Sequence, residues 1–412
     1  MLNRWGKAAL SVMLLVLAAA WFGIGFELMQ RWDAPLGAGL SLPTPPRPSA
    51  RPQSEKPAPT VFGVQAVLTP QRTIPAPGPA LQSTPAPQGE LARLALFPSR
   101  TPRAADAIPR CGGPEQMIFL LIGSDTRANG YMYGLADVIR LVRIDFVTPS
   151  VSVLEFSRDL WVEIPDISDH YGITHEKLNQ SYLYGNSGFG YYDGPGLGPG
   201  LLARTLELNF GARPERYAAI NMQTFVRLID ALGGIEVNLP YAVDGRRSDQ
   251  QTRNDLYFKA GPHLLAGREA LMLARLRIGS NADRDTHQSL ILCALREASL
   301  RPSNLSRLPE IINAFQDAIQ TDLSPKEIGA LACLAPQIQS QNIRFVSFPS
   351  EAMSASRIYD GIFKKQLFIY EADFNLMRLY TAAFQNGDWP PPAPLILNNA
   401  TPASLGESFS CP

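Results

Sequence analysis

The hydrophobic pattern of the chain opens on one long block and then breaks into short periodic runs. Residues 8–26, AALSVMLLVLAAAWFGIGF, are apolar for 19 positions without a charge. At about 1.5 Å rise per residue such a helix nearly spans a hydrocarbon core of about 30 Å. A transmembrane signal anchor is therefore expected over 8–28, with 1–7 cytoplasmic because Arg4 and Lys7 precede it. The competing reading, a cleaved signal peptide, fits less well, because the run exceeds a usual h-region of about 7–15 residues.

Periodic patterning begins near residue 115. MIFLLIG (117–123), DVIRLVRID (137–145) and VSVLEFS (151–157) read as strands, the last two joined by the turn FVTPS. A helix over 198–211, a strand YAAINM, a helix over 223–234 and a strand IEVNLP follow, with Gly211 and Gly234 as stops. Helices are expected over 283–299, 307–320 and 324–335, a late strand over 343–349 and a last helix over 371–385. The sum is an α/β domain, a mixed central sheet flanked by helices, over 115–386, with a polar tail over 387–412.

Composition changes this picture between anchor and domain. Residues 34–110 hold 17 of the 36 prolines, which favours a polyproline-like or disordered linker over 29–114. An extended spacer at about 3.1 Å per residue would hold its cargo away from the membrane. The chain has 37 basic and 37 acidic residues, so no electrostatic footprint for nucleic acid exists. Four cysteines lack CxxC spacing; in an exported domain disulfides fit, with Cys293–Cys333 the first choice.

Phosphate-loop, HExxH, GxSxG and GxGxxG signatures are absent. Charges instead gather at strand ends: Asp125 after FLLIGS, Asp137 opening DVIRLV, and Arg158 with Asp159 closing VSVLEFS. In LMLARLRIGSNADRDTHQSL (271–290), an extended LARLRI would set Arg275 and Arg277 on one face. A following helix would align Arg284, His287 and Gln288. Three arginines and an amide suit a pyrophosphate, and two aspartates nearby suit Mg²⁺ bridging carboxylates and phosphate oxygens. A surface salt-bridge cluster is the plainer alternative.

These segments resemble the LytR-CpsA-Psr family of cell-envelope proteins: FLLIGSDTR, ADVIRLVRID, LEFSRDLWVEIP, EKLNQSYLYG, FVRLIDALGGIEVNLP and LARLRIGSNADRDTHQ follow its motifs in order. The resemblance implies a membrane-anchored extracytoplasmic transferase. It would move a glycopolymer from a polyprenyl-pyrophosphate carrier, whose lipid tail lies in an apolar tunnel, onto the cell wall as a phosphodiester. It implies Asp125 and Asp137 as metal-linked carboxylates, Arg158, Arg275, Arg277, Arg284 and Gln288 on the pyrophosphate, and Lys177 and Asn179 at the substrate entrance. Asp125 or Asp137 would serve the acceptor hydroxyl, with carboxyl pKa values lowered by the arginines. Three family positions differ: Leu135 stands for an arginine, Asn281 for an aspartate and His287 for an arginine. His287 is expected to bind phosphate when protonated. Arg140 should face away from Asp137. A polyprenyl-pyrophosphate phosphatase and a non-catalytic lipid-linked-glycan binding protein are the alternative functions.

Overall fold

In the computed structural model the first two apolar runs form β1 (Gln116–Ser124) and β2 (Ala136–Asp145), and β3 (Ser150–Glu155) turns back on β2. All three pair antiparallel, Leu120 opposite Leu141 and Leu141 opposite Leu154. Alternation sends Ile118, Leu120, Ile122, Ile139 and Leu141 to one face and Met117, Val142 and Ile144 to the other. Two-faced burial is what such nearly continuous apolar strands require.

The structure describes residues 31–40, 42, 108–126, 131–247, 256–276, 281–307, 311, 315, 318–360, 364–391 and 408–411, all in one compact unit. The expected membrane anchor and nearly all of the proline-rich linker lie outside them. Among the described residues no helix is long and apolar enough to cross a membrane.

Strands β6 (Arg216–Asn221) and β12 (Ile343–Val346) join β1 and β3 in parallel. Strands β11 (Ile319–Thr321) and β15 (Ser408–Ser410) add at the edges, giving a mixed sheet in the order β11-β6-β1-β2-β3-β12-β15. Short pairs decorate it: β4 (Trp161–Glu163) with β5 (His175–Lys177), β7 (Ile235–Leu239) with β10 (Gly261–Leu265), β8 (Val243–Asp244) with β9 (Tyr257–Phe258), and β13 (Met353–Asp360) with β14 (Lys365–Ala372).

One sheet face is covered by α1 (Leu178–Gly185), α2 (Leu197–Phe210) and α8 (Phe374–Asn386), which bring Tyr182, Leu202, Phe210 and Phe384 onto Leu120 and Ile139. The other face receives α5 (Asn281–Leu300) and α7 (Pro325–Leu334) through Cys293 and Leu334. A further cluster joins α3 (Met222–Ala231), α4 (Gly267–Arg275), α5 and β7 around Leu273 and Ile291. The short α6 (Pro302–Leu305) follows α5.

Several expectations change. The described part of LARLRI, 273–276, is not a strand: α4 runs through Arg275, and Leu276 after it is extended; Arg277 and Ile278 lie outside the described residues. The expected helix over 307–320 gives way at Ile319 to β11, which completes the sheet edge beside β6. The expected tail supplies β15, held to α5 by Cys293–Cys411, and the second disulfide is Cys111–Cys333 rather than Cys293–Cys333. Cα separations of 5.8 and 5.6 Å suit both bonds. Residues 31–42, inside the expected linker, pack on the domain: Leu40 is buried, Leu42 touches the core, and Leu36 N–H donates to Leu323 O at 3.2 Å.

Candidate active site

The end of β1 and the start of β2 lie side by side, so one loop returns Asp125 towards Asp137. Asp125 N–H donates to Leu135 O at 3.0 Å, and Leu135 N–H donates back to Asp125 Oδ1 at 2.7 Å. This reciprocal pair fixes the carboxylate at the sheet's end. Leu135, where the resemblance implied an arginine, contributes only its backbone here.

Asp137 forms an ion pair with Arg158, which leaves β3. Arg158 Nε lies 3.6 Å from Asp159 Oδ2, and Asp159 Oδ1 accepts from Lys177 Nζ at 2.9 Å. Asn179 N–H donates to Arg158 O at 3.2 Å, which seats the first turn of α1 against this corner. The structure therefore brings Asp125, Asp137, Arg158, Lys177 and Asn179 together, with Asp159 as the link that the sequence-based site lacks. Its signal was the Arg158-Asp159 pair at a strand end. The side-chain atoms Ser157 Oγ, Arg158 Nε and Asn179 Oδ1 are buried there without hydrogen-bond partners, a polar concentration that a bound polar group would satisfy.

Burial raises the Asp125 carboxyl above its ordinary value of 3.8, against the Leu135 N–H. Asp137 raises it further by like charge, while Arg158 and Arg275 oppose. The expectation of a carboxyl lowered by arginines fails because desolvation outweighs them. Arg275, the last residue of α4, is exposed and close enough to act on Asp125. Arg277 lies outside the described residues, as does the side chain of Asn281.

Arg284 and Gln288 belong to a second, buried group. Gln288 Oε1 accepts from Arg140 at 3.3 Å, and its amide donates to Ala274 O at 3.1 Å. Arg140 is 1% exposed and also meets Glu155 at 2.6 Å, Ser289 Oγ at 3.4 Å and Asp285 O at 3.3 Å. Arg284 is buried, 3.5 Å from Asp285. Both ends of the Gln288 amide are thus engaged by protein, and through Ala274 it holds the turn that presents Arg275. His287, expected as a phosphate donor, is 1% exposed, its ring 6.4 Å from that of Tyr241. That burial keeps it from a ligand approaching from solvent.

Two neighbouring carboxylates fit one Mg²⁺, which takes one or two carboxylates and completes its shell with water and phosphate oxygens. Among the described residues no cluster of three acidic, histidine or cysteine ligands exists, so a dedicated protein cage is not present there. The arrangement can hold a phosphate between a paired arginine, a lysine and a cation on the carboxylates.

A model of the LytR_cpsA_psr family matches residues 110–373. The chain belongs to this family. Curated relatives include the regulatory protein MsrR of Staphylococcus aureus, 26% identical over 208 residues, 50% of this chain and 55% of that one. The polyisoprenyl-teichoic acid–peptidoglycan teichoic acid transferase TagU of Oceanobacillus iheyensis is 30% identical over 218 residues, 52% of this chain and 60% of that one. The chain thus spans little more than half the length of these relatives. Among solved structures, Bacillus subtilis TagV shares the fold with a TM-score of 0.51 at 22% identity, over 67% of this chain and 98% of that one. TagT bound to LIIa-WTA gives a TM-score of 0.50 at 18% identity, over 66% and 91%. LytR_cpsA_psr membership agrees with the order of motifs in the sequence and with the mixed sheet they build.

Proposed function

We propose that this chain is a membrane-anchored, extracytoplasmic transferase that moves a glycopolymer from a polyprenyl-pyrophosphate carrier onto a cell-wall acceptor as a phosphodiester. The observation that carries this reading is the Asp125/Asp137 pair beside Arg158 at the sheet's end, in a family whose relatives include a teichoic acid transferase. The bond that breaks is the P–O–P link to the lipid phosphate; the bond that forms joins an acceptor oxygen to the glycan-bearing phosphorus. Polyprenyl phosphate leaves.

Arg158, Arg275 and Arg277 neutralise charge on the pyrophosphate oxygens, the electrostatic preorganisation on which phosphoryl transfer depends. Asp125, with its carboxyl raised by burial, takes the proton of the acceptor hydroxyl more readily than an ordinary aspartate would. Asp137 is held by Arg158 and orients that arginine. Mg²⁺ on Asp125 and Asp137 would supply a positive charge for the phosphate oxygens. Lys177 and Asn179 guard the entrance beside Arg158. Gln288 acts from behind, by holding Ala274 O just before Arg275, and Arg284 lies buried beside Asp285.

A second reading, a non-catalytic protein that grips lipid-linked glycan, draws support from Leu135, which contributes only its backbone beside Asp125 where the family places an arginine. One assay separates the two: purified full-length chain with Mg²⁺, a synthetic polyprenyl-pyrophosphate glycan and peptidoglycan. Transfer that falls at least a hundredfold in Arg158→Ala and Arg275→Ala supports the transferase. Retention of the lipid without transfer supports the binding protein, and free phosphate released without acceptor supports a phosphatase.

A further inference from the structure

A cleft of about 410 Å³ opens away from the charges at the β1–β2 end, between the packed segment 33–39, the turn 112–114 and the first turns of α7. Its walls are tied in place. Asp33 meets Lys326 at 3.0 Å, Leu36 N–H donates to Leu323 O, and Cys111–Cys333 fastens the 110–112 turn to α7. Pro35, Pro114, Met117 and Ala330 give it an apolar lining.

Its charged groups are not equivalent. Arg216 is paired with Glu327 at 2.9 Å and Lys326 with Asp33, so each cation already has its carboxylate. Asp322 is different: it is 2% exposed, its Oδ1 accepts from Tyr217 N–H at 2.7 Å, and its Oδ2 is buried with no hydrogen-bond partner. Gly39 stands in front of that oxygen; a Cβ there would come within 3.9 Å of Oδ2. A buried carboxylate oxygen left without a donor is costly, and a partner that enters the cleft would remove that cost.

We propose that this cleft binds a primary ammonium carried on a short aliphatic arm, with Asp322 Oδ2 as its acceptor. Three features select that chemistry. Among the described lining residues, the one charge without an ion pair is that of Asp322, which is negative, so a cation is wanted. Asp322 has only one oxygen free, Oδ2, its Oδ1 being engaged by Tyr217 N–H, which matches the point charge of an ammonium and not the two-pronged fork of a guanidinium. A divalent ion would need several oxygen ligands, where the cleft offers one unpaired oxygen and apolar walls. Burial pushes the Asp322 carboxyl up to about 6, with Arg216 opposing and Glu327 adding to the rise. The group is still largely ionised at neutral pH, and an arriving ammonium would lower it.

The test is a ligand-observed NMR titration of the full-length chain in detergent with 1,5-diaminopentane, 1,5-pentanediol and glutarate. The diamine is expected to bind saturably, with the diol and the diacid at least tenfold weaker. Asp322→Asn keeps an acceptor for Tyr217 N–H and should weaken the diamine at least tenfold. Gly39→Leu, at a position without a left-handed backbone, should do the same by filling the space before Oδ2. Absence of saturable diamine binding, equal affinity in both variants, or glutarate binding more tightly than the diamine would each overturn the assignment.

Discussion

Asp125 and Asp285 show how one residue type acquires two different properties. Asp125 sits where burial and Asp137 raise its carboxyl while Arg158 and Arg275 pull it down. Removing one of those cations leaves the raising causes in place. In Arg158→Ala the Asp125 carboxyl should titrate at higher pH than in the wild type, and carbon-detected NMR of labelled aspartate would read the shift directly. A downward shift would mean that the Asp137 charge freed by the substitution moves away from Asp125.

Asp285 has about one-third of its side chain in solvent, yet its Oδ1 is buried. Burial and the adjacent Glu155 push its carboxyl well above 3.8, with Arg284 and Arg140 opposing. The folded state therefore holds this proton more tightly than the unfolded chain. Its contribution to stability is complete below the unfolded value near 3.8 and is lost as pH rises through the raised folded value. Urea midpoints should accordingly fall as pH rises across that window, and Asp285→Asn should flatten the fall. Arg284 beside Asp285 and Arg140 on Glu155 are the cations that oppose the rise of the Asp285 carboxyl. Arg140→Met is expected to cost about 3–5 kcal/mol, the usual result of leaving buried charge without its partner. Adding Glu155→Gln and Asp285→Asn should recover much of that loss in the same denaturation experiment.

At the scale of elements, what the sequence discloses follows how local the cause is. Strands β1, β2 and β3 were legible because their alternation and bounding turns are local, and α3 and α7 because Asn221 and Ser324 cap them on the spot. LARLRI was misread because apolar residues two and three apart satisfy a strand and a helix alike. On α4, Leu273 packs into the α3–α4–α5 cluster, a tertiary contact that the local pattern does not contain. Strand β15 was invisible because three residues carry no period; its place comes from pairing with β12 and from Cys411. The site divides the same way. The corner of Asp125, Asp137 and Arg158 could be inferred from strand ends, whereas the Arg140–Glu155–Gln288 group depends on β2, β3 and α5 meeting. Bond Cys293–Cys411 closes a span of 118 residues, for which chain entropy gives a few kcal/mol. Cys411→Ser should lower stability by about 2–4 kcal/mol and release the β15 edge. Hydrogen exchange at Arg344 and Val346, the partners of β15, would show faster exchange there than in β1.

For the whole molecule, the packing of 31–42 alters what the proline-rich stretch can be. Leu40 is 3% exposed in the main core, Asp33 is paired with Lys326, and the chain is again part of the same unit from 108 onward. The described residues on either side of 43–107 therefore belong to one unit, and a membrane anchor over 8–28 would be separated from the packed segment by only a few residues of sequence. If that anchor is present, a domain tied in this way would stay close to the bilayer, within roughly 10 Å of chain at about 3.3–3.6 Å per residue, instead of riding on a long stalk. A linker replacement and a point substitution distinguish the arrangements. Replacing 43–107 by a flexible linker of roughly 15 residues, which reaches an average of about 20 Å, should leave the melting temperature of the domain unchanged. Leu40→Ala, by contrast, should cost about 2–5 kcal/mol, as a buried leucine does when its cavity cannot collapse. Equal melting temperatures for wild type and Leu40→Ala would show that the segment contributes nothing to the core and would restore the spacer as a stalk. A fluorescent label at an exposed domain position such as Tyr171, quenched by bilayer-bound acceptors to the same extent with and without 43–107, would then place the domain by its 31–42 segment alone.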